Sequence, residues 1–385
     1  MFTRRLNLFQ AFGFPIRIDL SWIFIAVLVT WSLAVAWFPH EYEGLSPRTY
    51  WLMGIVGALG LFTSIVLHEL GHAVTARRFG MKMRGITLFI FGGVAEMDDE
   101  PPSARAEFMV AIAGPLVSIW IAIMCFLVSR AGEVALWPES VWGVFSYLAI
   151  INAVVVVFNL VPAFPLDGGR ILRSALWKWK GNLRKATRIS SRFGSGFGLF
   201  LFAMGLVSIL VGNLVGGLWW IILGMFLRSA AQMSYQQLLV RRALEGEAVS
   251  SFMESNARTV PPRTSIAEFV NDYVYKYHHK MFPVVKDGLL SGCVSTEAVK
   301  EIPRTRWEEA TVDDIVQPCD EDNTIAPEDD ASEALSRMSR TGRSRLVVTT
   351  NGHLVGILSL RDMLKYLSFK LDLEEDARFV QAPAM

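Results

Sequence analysis

Three cysteines in 385 residues, Cys125, Cys293 and Cys319, are too few and too scattered for a disulfide framework or a thiolate metal site, and they read as structural. Charge is scarce too. Only 19% of the chain is charged and the net charge is +1, which excludes a nucleic-acid partner held by phosphate contacts. Acidic residues are missing altogether between Asp167 and Glu245, a stretch that opens with Arg170, Arg173, Lys178, Lys180, Arg184, Lys185, Arg188 and Arg192. Apolar residues take the space that charge leaves: 52% of the chain is hydrophobic, with 12 Trp, 25 Phe and a mean hydropathy of +0.37. Such a composition belongs to an integral membrane protein.

Apolar runs at about 20–38, 51–79, 108–129 and 141–161 are each long enough to cross a ~30 Å hydrocarbon core at 1.5 Å per residue. Two further runs, about 193–211 and 214–227, are separated by Gly212-Asn213; the last is short, which leaves a re-entrant segment as its alternative. Ala34-Val35-Ala36 imitates a signal-peptidase site, but it lies within a run longer than a signal h-region. Basic residues flank the first helix (Arg4, Arg5, Arg17), follow the second (Arg77, Arg78, Lys82, Arg84) and fill the loop after the fourth. By the positive-inside rule these flanks and both chain termini are cytoplasmic. Residues 85–97 (GITLFIFGGVAEM) are too short to span and rich in β-branched and aromatic residues, which predicts a membrane-embedded β-strand or hairpin. A surface hairpin and an edge strand that receives an extended substrate are its two readings.

Near the end of the second run stands His68-Glu69-Leu70-Gly71-His72. On a helix this spacing sets two imidazoles at i and i+4 on one face, within reach of one zinc ion, with a carboxylate beside them. Catalytic zinc takes three protein ligands and keeps a position open for water. Asp167 is the best third candidate: charge-derived topology places it at the same cytoplasmic depth as the histidine pair, where an unpaired carboxylate is costly. A turn residue in Leu166-Asp167-Gly168-Gly169 is the alternative reading.

Beyond Gly246 the composition becomes that of a soluble protein, and a repeat of about 64 residues emerges. Thr259-Val260-Pro261-Pro262 answers to Thr324-Ile325-Ala326-Pro327, Phe282-Pro283-Val284-Val285 to Arg345-Leu346-Val347-Val348, and Asp287-Gly288 to Asn351-Gly352. Each unit reads as helix, strand, turn, strand, helix. The pair resembles tandem CBS modules, at about 246–303 and 311–370, after a membrane domain over 1–240 and before a tail at 371–385.

His68-Glu69-Leu70-Gly71-His72 together with Asn159 through Gly168 resembles the site-2 proteases, the intramembrane zinc metalloproteases. Gly13-Phe14-Pro15-Ile16-Arg17-Ile18, Phe91-Gly92-Gly93-Val94, Ala113-Gly114-Pro115 and the appended CBS pair are similar to the prokaryotic branch of that family. The resemblance implies a polytopic α-helical membrane protein of about six transmembrane helices with a C-terminal α+β tandem CBS domain. It implies one Zn2+ per chain on His68, His72 and Asp167, Glu69 as general base, and Asn159 as a residue that holds the substrate backbone or the oxyanion. The implied reaction is peptide hydrolysis in regulated intramembrane proteolysis, in the cytoplasmic membrane, on a single-pass membrane protein or a membrane-associated regulator.

CBS pairs in other proteins often bind ATP or AMP, with a Ser or Thr three residues before an Asp that contacts ribose. Ser359 and Asp362 fit that signature, whereas Ser295 is followed at the same spacing by Ala298. Nucleotide sensing and homodimerisation through the CBS domains stand as equal expectations. Glu96 and Glu107 are acids at or near residues 85–97 that receive no role, since solvation at the membrane rim explains them equally well. Two other classes of function remain: a CBS-regulated transporter, which predicts repeated halves that residues 1–240 lack, and an inactive relative that sequesters membrane clients, which predicts a degraded zinc motif.

Overall fold

The computed structural model describes residues 5–366 except Lys82, Phe91, Asp98, Asp99 and Asp287. Arg4, Lys82, Phe91 of the Phe-Gly-Gly-Val motif, Asp287 of the first repeat's turn and the tail at 371–385 therefore lie outside the described residues. The chain divides into two compact units, Met1–Gln236 and Gln237–Met385.

Among the described residues, six helices are long and apolar enough to span a membrane: α1 (Leu20–Glu41), α2 (Pro47–Arg78), α3 (Ala104–Val134), α4 (Glu139–Asn159), α6 (Leu183–Leu210) and α7 (Leu214–Leu244). Three of their starts carry conventional serine or aspartate caps. Asp19 Oδ1 accepts from the Ser21 amide at 3.0 Å, Ser46 Oγ from Thr49 at 3.2 Å and Ser103 Oγ from Ala106 at 3.2 Å, each satisfying an amide that the first turn leaves without a helical partner. Leu52, Leu59, Trp120, Phe126, Val157 and Leu206 face outward, as lipid-exposed side chains do.

Two stretches depart from expectation. The basic stretch after α4, read as a loop, contains the helix α5 (Asp167–Lys180), closed by Gly181 at φ +63°. Its dense charge hides the helical period: Asp167, Arg173 and Ser174 are buried while Lys178, Trp179 and Lys180 are exposed. The final span is not a short segment ending near residue 227. Residues 229–240 contain neither glycine nor proline, so α7 continues to Leu244 and stops before Gly246 at φ +83°.

A four-stranded sheet lies in the same unit: β1 (Arg5–Ala11), β2 (Phe14–Asp19), β3 (Met83–Phe89) and β4 (Gly92–Met97), in that order. The hairpin expected over 85–97 is β3 and β4, paired antiparallel with Thr87 opposite Val94. Its partner hairpin was not anticipated. β2 runs parallel to β3, with Ile16 opposite Ile86 and Ile18 opposite Leu88, and buries Phe14, Ile16 and Ile18 at alternate positions. Only three apolar residues carry that alternation, and the run into α1 obscures it.

In the second unit both repeats fold alike. The first pairs β5 (Met281–Lys286) with β6 (Leu289–Ser295) and receives Val260 in a parallel bridge to Val284. The second aligns β7 (Thr324–Ile325) parallel to β8 (Arg345–Thr350), which pairs with β9 (His353–Ser359), under helix α8 (Ala331–Thr341). Phe269, Phe282, Val284 and Val294 fill one core; Ala334, Met338, Leu346, Val348 and Leu358 fill the other.

Candidate metal centre

His68 and His72 project from one face of α2, one turn apart, and Asp167 opens α5 beside them. One ligand atom from each of the three lies within 4.8 Å of the others, and all three residues are buried. The Nε2 atoms of His68 and His72 are 3.2 Å apart, and the two carboxylate oxygens of Asp167 lie 3.1 Å from one and 3.2 Å from the other. The sequence nominated this trio from two distant segments, and the fold brings all three together.

The outer ring nitrogens decide what the inner ones can do. His72 Nδ1 donates to the Val110 carbonyl at 2.6 Å, and His68 Nδ1 pairs with Ser118 Oγ at 2.9 Å. With the proton on Nδ1, each neutral imidazole directs its Nε2 lone pair at the same point as the Asp167 carboxylate. Three electron-rich groups converging in a buried place repel one another unless a cation sits among them. Two imidazoles and one carboxylate form a donor set suited to zinc.

Space for an ion depends on Gly114. A Cβ there would overlap Nε2 of both histidines. Val110, Gly114 and Ser118 follow one another at i, i+4 and i+8, so a single stripe of α3 supplies the carbonyl, the gap and the hydroxyl. The sequence offers Gly114 only within the Ala113-Gly114-Pro115 resemblance and does not single out Val110 or Ser118. Glycine and serine four positions apart in an apolar helix were the available signal for Ser118, whereas a backbone carbonyl such as that of Val110 leaves none.

Glu69 is half-buried beside the trio, and its Oε2 accepts from the Ala95 amide of β4 at 3.0 Å. A Cβ on Gly93 would meet Glu69 Cγ at 2.7 Å, so glycine lets the strand lie against this side chain. His68, Glu69, His72 and Asp167 share a cavity of about 610 Å³ with Gly93, Val94, Asn152, Asn159 and Arg170. Asn159 thus lies on the cavity wall. Asn152, which the sequence reading did not single out, is buried there and donates to Ser64 Oγ at 3.1 Å and to the Leu148 carbonyl at 2.8 Å.

Glu107 is wholly buried and pairs with Arg173 through Nε and Nη2, which overturns the reading of Glu107 as a solvated rim residue. Ser359 and Asp362 lie in the other unit. Ser359 Oγ donates to Asp362 Oδ2 and accepts from the Asp362 amide at 3.2 Å, whereas in the first repeat Ser295 Oγ accepts only from the amide of Ala298, at 3.3 Å.

The family model described as peptidase family M50 matches residues 56–138 and 131–201, and the CBS domain model matches residues 312–369. The chain is 32% identical over 375 residues to the Mycobacterium tuberculosis protein Rip3, covering 96% of this chain and 95% of that one. It is 32% identical over 373 residues to zinc metalloprotease MJ0392 of Methanocaldococcus jannaschii, covering 97% and 98%. The solved site-2 protease from Methanocaldococcus jannaschii is 31% identical and covers 60% of this chain and 94% of its own, with a TM-score of 0.41.

Proposed function

Because the chain belongs to peptidase family M50, the site-2 protease family, we propose that it hydrolyses peptide bonds of single-pass membrane proteins or membrane-associated regulators, with His68, His72 and Asp167 holding one zinc ion. The observation that carries this reading is the convergence of two Nδ1-anchored imidazoles and a carboxylate on one buried point beside Glu69.

When bound, zinc supplies a Lewis acid that polarises a peptide carbonyl and lowers the pKa of a water to about 7. Glu69 takes the proton of the attacking water and returns it to the leaving amine, a general base and then a general acid. Asn159 holds the substrate backbone or the developing oxyanion from the cavity wall. A helical substrate hides its carbonyls in its own hydrogen bonds, so a segment must unwind first. β4, last in the sheet order and lining the cavity, suits pairing with such an extended segment. Val94→Pro, within β4, probes this pairing, whereas Ile90 sits in the turn between β3 and β4 with its amide 3.3 Å from Ser21 Oγ.

The basic flanks favour the cytoplasmic membrane, with both termini and the CBS pair on the cytoplasmic side. For the CBS pair, Ser359 and Asp362 supply one ribose-binding position for ATP or AMP, and the first repeat lacks its counterpart at Ala298. Calorimetry with ATP and AMP on the full chain in micelles reads this directly; no heat with either favours a purely dimerising role.

Zinc content and cleavage of a membrane substrate, compared between wild type and Glu69→Gln, test the central proposal. One zinc per chain in both, with cleavage only by wild type, is the expected result; normal cleavage by Glu69→Gln rejects the mechanism. A transporter, or an inactive relative that sequesters clients, predicts no cleavage by either protein.

A further inference from the structure

Cys293 and Cys319 are 26 positions apart in sequence, yet their sulfurs lie 3.6 Å from each other. The backbone sets up the approach. Cys293, near the end of β6, exchanges both of its hydrogen bonds with Gln317, at 2.9 and 2.8 Å, and Cys319 follows two residues later. Gly292 lets the two segments come this close, since a Cβ there would overlap the Gln317 carbonyl. The fold does not need sulfur here: in the second repeat the equivalent bridge pairs Ile357 with Glu254.

We propose that Cys293 and Cys319 are a reversible thiol–disulfide site, oxidised by hydroperoxides, that ties β6 of the first CBS repeat to the segment that precedes β7. The two sulfurs are already in contact at 3.6 Å, against about 2.05 Å in a disulfide. The two thiols are unlike. Cys293 is buried, whereas Cys319 is partly exposed and reachable by a small oxidant. Hydrogen bonding from the Cys293 thiol, aided by Arg343 and opposed by burial and Asp320, holds Cys319 below the usual thiol range; the same hydrogen bond and burial push Cys293 up.

The chemistry balances with a hydroperoxide as oxidant. The Cys319 thiolate attacks one peroxide oxygen, the O–O bond breaks, and the departing oxygen leaves as water after taking a proton, giving a sulfenic acid. Cys293 then attacks the Cys319 sulfur, the S–O bond breaks, and a second water leaves with the Cys293 proton. Two thiols and one hydrogen peroxide become one disulfide and two waters. A dithiol reverses the step.

The bond would fasten a segment that the second repeat already holds. Downstream of Cys319, the Asp320 amide donates to Asn323 Oδ1 at 2.9 Å, and Arg340 of α8 pairs with Asp322 at 2.6 Å.

The test uses the full-length protein in micelles with Cys125→Ser, so that only the pair remains titratable. Hydrogen peroxide should reduce the free thiols after denaturation from two per chain to none, with monomer mobility on non-reducing gels and full recovery by dithiothreitol. Peptide mapping of the oxidised wild type should join the peptides holding Cys293 and Cys319, which reads the same pair if Cys125→Ser folds poorly. Cys293→Ser should halt at a sulfenic acid trapped by dimedone. Two thiols persisting where glutathione is consumed, or only intermolecular cross-links, would overturn the proposal.

Discussion

Glu107 and Arg173 form a buried ion pair that joins α3 to α5, the helix whose first residue is Asp167. Glu107 stands one turn before Val110, the carbonyl that anchors His72, and Arg173 also lies over the Phe164 ring at 5.1 Å. The pair therefore couples the segment that orients a histidine to the segment that presents the carboxylate. A buried charge left without its partner is costly, so this link is expected to be stiff.

Glu107→Ala should destabilise the protein by ~3–5 kcal/mol and weaken zinc binding about 10- to 100-fold, because a misplaced supporting contact propagates to the ligands. Thermal unfolding and competition with a zinc indicator check the two effects separately. Near-wild-type zinc affinity would show that Asp167 is positioned without this pair.

Gly114→Ala should cost the metal site more than the fold. The added methyl overlaps Nε2 of both histidines, so the variant should insert in the membrane and purify with far less than one zinc per chain. Alanine is otherwise the better helix former by about 1 kcal/mol, which separates a site effect from a helix effect.

Glu69→Gln should retain zinc and lose cleavage by roughly 10²- to 10⁴-fold, the range for removal of a general base. Chelation should abolish cleavage by the wild type, and added zinc should restore it. Circular dichroism should report the same helix content for both proteins.

Asp330 caps α8, accepting from the Ser332 amide at 2.7 Å and the Gly246 amide at 2.7 Å. Burial pushes its carboxyl up, but the hydrogen bonds from Ser332 and Gly246 outweigh it and hold it below the ordinary 3.8. A depressed folded pKa contributes stability that is present above 3.8 and is lost as the pH falls through the lower folded value. Asp330→Ala should therefore cost ~1 kcal/mol near neutrality, with the gap from wild type closing in acid; melting curves across pH read it.

Much of this molecule is local information. The spacing of His68 and His72 requires only a helix, and the spans are read from hydropathy along the chain. The paired Val-Val strands of the CBS repeats betray themselves by recurring about every 64 residues. α5 was overlooked because Arg173 is turned inward to Glu107, an orientation that no window of sequence records.

What the sequence determined by itself is the inventory: six apolar spans, two zinc-type histidines with a glutamate, a distant aspartate of suitable chemistry, and a duplicated soluble domain. Only the tertiary structure decided which partners complete each group. It brought Asp167 to His68 across 99 positions, gave His72 the Val110 carbonyl, laid the Ala95 amide against Glu69, and set Cys293 beside Cys319. Helical and strand periods arise from neighbours along the chain, whereas these contacts arise from close packing between elements far apart in it, where one absent Cβ, as at Gly114, decides what fits.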